Sequence, residues 1–141
     1  MRALAYLATK PPRKITMISE IGEATKVPLP YIAKIFQSLV KNEILVSRRG
    51  PAGGFALKKA PGKLSLLEIV RAVDDIEELS ECVMGLAACS PSNACPLHAV
   101  WSQTKEKMME TLERCSLTEM MQQTGDRKYR PYQRAKLQLS F

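Results

Sequence analysis

No stretch of the chain approaches the roughly 20 consecutive apolar residues that a membrane-spanning helix needs, so no membrane partner is expected. The apolar start, Met1 to Ala8, is too short for a secretory core and lacks a small-residue cleavage site, which makes the cytoplasm the expected location. There is a single histidine. No Ser/His/Asp set, glycine-rich phosphate loop or Cys-x-x-Cys pair occurs, and these absences argue against an enzyme. There is no internal repeat, which excludes a repeat architecture. Acidic side chains are scarce, 14 against 21 basic ones.

What is present is a 141-residue chain that is 45% hydrophobic, enough for one compact domain and an appendage. The net charge of +7 is unevenly spread. Residues 1–60 hold eleven basic and three acidic side chains, residues 61–125 five and ten, and residues 126–141 five and one. A basic N-terminal half suits a polyanion partner, although charge alone equally suits a solvated surface.

The pattern predicts helices over 1–9 and 16–25, the latter with Met17, Ile18 and Ile21 on one face and Gly22 as a weak point. Lys10-Pro11-Pro12-Arg13-Lys14 breaks the chain between them. After the turn at Val27-Pro28-Leu29-Pro30 a third helix runs to about Asn42. Its inner face is Ile32, Ile35, Phe36, Leu39 and Val40, and Lys34, Gln37 and Lys41 lie opposite. Ile44-Leu45-Val46-Ser47 and Phe55-Ala56-Leu57 read as strands of a hairpin with the basic tip Arg48-Arg49-Gly50. Ser65 caps a helix over 66–74, with Glu68 completing a capping box. A long helix is expected over 96–115, striped by Leu97, Trp101, Thr104, Met108, Leu112 and Cys115, and a short one over 117–123. Cys115, on that stripe, reads as a buried apolar residue.

The fold class is therefore mainly α with a small two-stranded β wing. The organisation is a winged helix-turn-helix domain over 1–74, a cysteine-rich loop over 75–95, and a long helix with a short successor over 96–123. A basic tail over 124–141 is expected to be disordered.

That order of elements suits double-stranded DNA. A helix fits the major groove, and its first turns reach base edges. Those turns carry Pro28, Pro30, Tyr31, Lys34, Gln37 and, further along, Lys41. Arg48, Arg49 and Gly50 at the wing tip suit phosphates or a narrow minor groove. An ordinary amphipathic helix and a solvated hairpin tip are the plainer readings of each part taken alone.

The spacing Cys82-x6-Cys89-x5-Cys95-x2-His98 concentrates thiols that in a reducing compartment suggest metal or redox chemistry rather than structural disulfides. Cys95 precedes the expected helix start, where negative charge is favoured, and His98 follows about one turn on. Three thiols and an imidazole suit an iron–sulfur cluster, 2Fe-2S or 4Fe-4S. They also suit structural zinc, a metal-free thiol switch, or inert cysteines.

Val27-Pro28-Leu29-Pro30-Tyr31-Ile32-Ala33-Lys34-Ile35-Phe36, Arg49-Gly50-Pro51, Gly53-Gly54-Phe55, Leu64-Ser65-Leu66-Leu67-Glu68-Ile69-Val70 and Cys95-Pro96-Leu97-His98-Ala99-Val100-Trp101 together resemble the IscR/NsrR/RirA-type family of winged-helix iron–sulfur regulators, over residues 1 to about 123. The resemblance implies a homodimer joined through the long helix and binding a partly palindromic DNA operator. It implies a cluster held by Cys82, Cys89 and Cys95, with His98 a ligand or the partner of one. A fourth ligand, if needed, comes from a carboxylate or from outside the chain. It implies a transcriptional regulator, most naturally a repressor, that senses iron, redox state or nitric oxide. A winged-helix regulator with structural zinc or a thiol switch is the alternative. Three departures stand out: relatives carry a segment ahead of the first helix that sometimes supplies a ligand, Ala33 replaces an acidic residue tied to operator choice, and the x6 gap is longer than usual.

Overall fold

The structure is a computed structural model and describes residues 1–74, 82–85 and 89–124. The described elements are α1 (Arg2–Ala8), α2 (Ile18–Thr25), α3 (Leu29–Lys41), β1 (Leu45–Arg48), β2 (Gly54–Leu57), α4 (Leu66–Arg71), α5 (His98–Arg114) and α6 (Leu117–Thr124). Single 3-10 turns at Pro61–Lys63 and Pro91–Asn93 punctuate the connections. The 124–141 segment expected to be disordered lies, apart from the end of α6, outside the described residues, as do 75–81 and 86–88 of the cysteine loop.

One apolar core joins α1 (Leu4, Leu7), α2 (Ile21), α3 (Ile32, Phe36, Leu39), Ile44 and Leu45, Leu64, α4 (Ile69), Ala72 and α6 (Leu117). In α3 these positions recur at four and three residues, the period that keeps one face turned inward. Ile35 and Val40 pack half-buried at its edge. Met17, expected on the inner face of α2, is exposed instead.

β1 and β2 pair antiparallel, from Leu45 opposite Leu57 to Arg48 opposite Gly54. A further rung forms where Thr16 and Phe55 exchange backbone hydrogen bonds of 2.9 Å each way. This rung corrects the expected helix start: Thr16 is extended and buried against the sheet, so α2 begins only at Ile18. The close approach explains Gly54, since a Cβ there would sit 2.1 Å from the Thr16 carbonyl oxygen. Next to it the Phe55 ring meets Phe36 edge to face, with centroids 5.0 Å apart and planes at 77°. That contact fixes the wing against α3.

Other boundaries shift for local reasons. Ile44 closes the end of α3, donating to the Leu39 carbonyl, so β1 starts at Leu45. α4 ends at Arg71, where Val73 donates back to the Val70 carbonyl in a tighter turn. α5 starts at His98 rather than Pro96, because Cys95 to His98 forms a separate turn in which the His98 N–H reaches the Cys95 carbonyl at 2.9 Å. It ends at Arg114, because Cys115 turns extended and its carbonyl accepts from the Leu66 N–H at 2.9 Å. Cys115 is half-buried rather than buried. The Leu117 N–H in turn reaches the Leu64 carbonyl at 2.9 Å, so the α5–α6 junction is stitched to the start of α4.

The Ser65 capping box is formed as expected: Ser65 Oγ accepts from the Glu68 N–H and the Glu68 carboxylate accepts from the Ser65 N–H, each at 3.1 Å. Lys59 also reaches Glu68 Oε1 at 2.5 Å, and this hydrogen bond, followed by that from Ser65, holds the Glu68 carboxyl below its ordinary range. A depressed carboxylate stabilises the fold above its unfolded-state pKa and loses that contribution as pH falls through the folded one. Glu68→Gln is therefore expected to reduce stability at neutral pH and to flatten the loss on acidification. Urea midpoints measured between neutral and acid pH, with equal slopes for both proteins, would contradict it.

Candidate nucleic-acid interface and cysteine loop

α2 is capped at its C-terminus by Lys26, whose backbone is left-handed (φ 56°, ψ 33°), and the chain turns at once into α3. Pro28 occupies the position before α3 and Pro30 its first turn, where a missing N–H costs nothing. The inward pull of Ile32, Phe36 and Leu39 leaves Pro28, Pro30, Tyr31, Lys34, Gln37 and Lys41 exposed. At the hairpin tip Arg48, Arg49 and Gly50 are exposed, and the turn is closed by the Gly53 N–H on the Gly50 carbonyl at 2.8 Å.

The cations sort into two groups. Lys10, Lys58 and Lys59 are paired with Glu20, Glu43 and Glu68. Lys34, Lys41, Arg48 and Arg49 take part in no ion pair among the described residues. The cations of α3 and the wing, like Arg13, Lys14, Lys26 and Lys63 elsewhere in the chain, are thus not neutralised by an ion pair among the described residues, and α3 and the wing are the two parts with the shape for a duplex. Lys10 further braces α1 on α2: Tyr6 Oη donates to Glu20 at 2.8 Å, and Lys10 Nζ sits 4.3 Å from the Tyr6 ring centroid.

Leu29, expected in the turn, is instead the first residue of α3. It is 43% exposed and lies partly over Gly22, where a Cβ would come 2.3 Å from its Cδ2. The missing side chain at Gly22 thus makes room for a neighbour.

In the cysteine loop, Cys89 Sγ lies 3.3 Å from His98 Nδ1, and both groups are half-buried. Cys82 is buried, at a turn in which the Gly85 N–H reaches the Cys82 carbonyl at 2.8 Å. Cys95 is half-buried and joined to His98 through the backbone turn. Among the described residues no three His, Cys, Asp or Glu side chains gather closely enough to hold a metal ion. Of the four residues singled out from sequence, the structure therefore brings together Cys89 and His98. The donor set of three thiols and an imidazole fits an iron–sulfur group in chemistry. The geometry supplies one adjacent pair of it.

Residues 1–123 match the Rrf2 family, described as Iron-dependent Transcriptional regulator. The chain belongs to the Rrf2 family. An HTH-type transcriptional regulator of Aquifex aeolicus is 30% identical over 121 residues, covering 84% of this chain and 83% of that protein. The HTH-type transcriptional regulator IscR of Cronobacter sakazakii is 30% identical over 104 residues, covering 74% of this chain but 64% of its own length, a little under two thirds. The solved structure of T. potens IscR superimposes with a TM-score of 0.68 at 20% identity, covering 92% of this chain and 85% of that one, and shares the winged-helix fold. As an Rrf2 protein the chain is a DNA-binding transcriptional regulator. No helix among the described residues is long and apolar enough to cross a membrane.

Proposed function

We propose that this Rrf2 protein is a homodimeric repressor whose operator binding is controlled by an iron–sulfur cluster on the cysteine loop. The observation that carries the reading is the Cys89–His98 pair, 3.3 Å apart, which ties the cysteine loop to the first residue of α5. Cys82, Cys89, Cys95 and His98 are the residues that would hold the cluster. When bound it supplies one-electron chemistry and sensitivity to oxidants and nitric oxide. Holding all four donors at one centre requires the loop to close around the Cys89–His98 pair.

The chain's own parts define the output. α3 enters the major groove with Tyr31, Lys34 and Gln37 toward base edges. Lys41, Arg48, Arg49 and the Gly50 backbone reach phosphate or the minor groove. α5 contributes no residue to the core and leaves Leu97 and Val100 exposed, with Trp101, Met108 and Leu112 half-buried. A second copy would cover this apolar stripe. Half-sites must lie about one helical turn apart. A change in the loop ahead of α5 then alters operator affinity by altering the spacing of two α3 helices.

Structural zinc is the second reading, favoured by the same mixed sulfur–nitrogen pair. Protein purified without oxygen separates the two. Brown protein with equimolar iron and acid-labile sulfide is the expected result, and Cys89→Ala is expected to remove both while the circular dichroism spectrum persists. Colourless protein with tightly bound zinc, unfolding on chelation, would overturn the cluster reading.

A further inference from the structure

Four consecutive residues at the start of α3, Pro28, Leu29, Pro30 and Tyr31, are all exposed. Three of them have no hydrogen-bonding group in the side chain, and the two prolines have no N–H either. The Tyr31 and Ile32 N–H groups are already turned back on the Pro28 carbonyl, at 3.1 Å each. Ala33 adds a single methyl group. The side chains able to hydrogen-bond a base edge therefore begin at the Tyr31 hydroxyl and continue with Lys34 and Gln37.

An apolar surface of this kind has little to offer guanine, adenine or cytosine edges, which present acceptors and donors in the major groove. Thymine alone presents a methyl group there. We propose that the first turn of α3, through Leu29 and Pro30, recognises thymine C5-methyl groups in the operator. The occupant is a DNA duplex rather than a protein because the further cations along α3, Lys34 and Lys41, and those of the wing take part in no ion pair among the described residues. An acidic, methyl-bearing groove matches a basic surface with an apolar tip. The proposal rests on α3 being the helix that enters the major groove.

The test uses the full chain and duplexes selected by it from a random-sequence pool, resynthesised with deoxyuridine for thymidine one position at a time. This swap removes only the methyl group. Uridine at a contacted position is expected to weaken binding about four-fold, the value of one buried methyl-sized group. Pro30→Ala and Leu29→Ala are expected to abolish the thymidine-over-uridine preference at those positions while binding remains measurable. Leu29 also packs over Gly22, so Pro30→Ala carries the test if the leucine variant is unstable. Less than a two-fold change at every position, or a preference untouched in both folded variants, would overturn methyl recognition and leave α3 as the reading helix. Failure to select any sequence would overturn both.

Discussion

Phe36→Ala is expected to cost about 3–5 kcal/mol of folding stability, the range for deleting a buried aromatic ring. Phe36 is 1% exposed, lies on the inner face of α3, and meets Phe55 edge to face at 5.0 Å. A domain of this size has about 5–15 kcal/mol in total, so the variant approaches the unfolding threshold. The removed ring also frees the wing from α3, so DNA affinity should fall further than the loss of folded protein explains. Urea unfolding with linear extrapolation gives the first quantity, and operator titration under conditions where the variant remains folded gives the second. A stability loss under about 1.5 kcal/mol, typical of a volume-conserving swap, would mean that the core collapses around the gap and that this ring pair does not set the wing.

Removing both wing-tip arginines, Arg48→Ala with Arg49→Ala, is expected to weaken operator binding and flatten its dependence on salt. Each phosphate contact contributes about 0.9 to the slope of log affinity against log salt, so the slope should fall by about 1.8. Both residues are exposed and neither is tied to a carboxylate among the described residues, so stability should be nearly unchanged. Fluorescence anisotropy over a salt series reads the slope directly. An unchanged slope would take the tip off the duplex and leave α3 as the sole contact.

The parts legible in sequence were those governed by local rules. The three-and-four spacing of Ile32, Phe36 and Leu39 marked α3, the Ser65–Glu68 pair marked the start of α4, and the basic tip between two short strands marked the wing. What escaped depended on distant backbone. Thr16 falls inside the helical pattern expected over 16–25, and nothing nearby announces that its partner is Phe55. Cys115 continues the α5 stripe, yet its carbonyl is required by Leu66. Leu29 reads as part of the turn, and nothing nearby announces that it packs over Gly22. In the cysteine loop the spacing marked the chemistry of the donors. It could not show that Cys89 and His98 meet first, since that depends on the turn from Cys95 to His98.

The stitch between Ser65 and Ser116 has a mechanical meaning. α5 is fastened to the DNA-binding domain where it ends, by the backbone bonds flanking Cys115 and Leu117. Its other end, at His98, is about 25 Å away at 1.5 Å per residue. The helix is a lever with its pivot beside α4 and its arm reaching to the cysteines. A rotation of about 5° at the pivot carries His98 through about 2 Å on that geometry. On the proposed regulation, chemistry of ångström size at the arm would correspond to an angular change where the DNA-binding domain is attached, and the stiffness of α5 would set how faithfully one becomes the other.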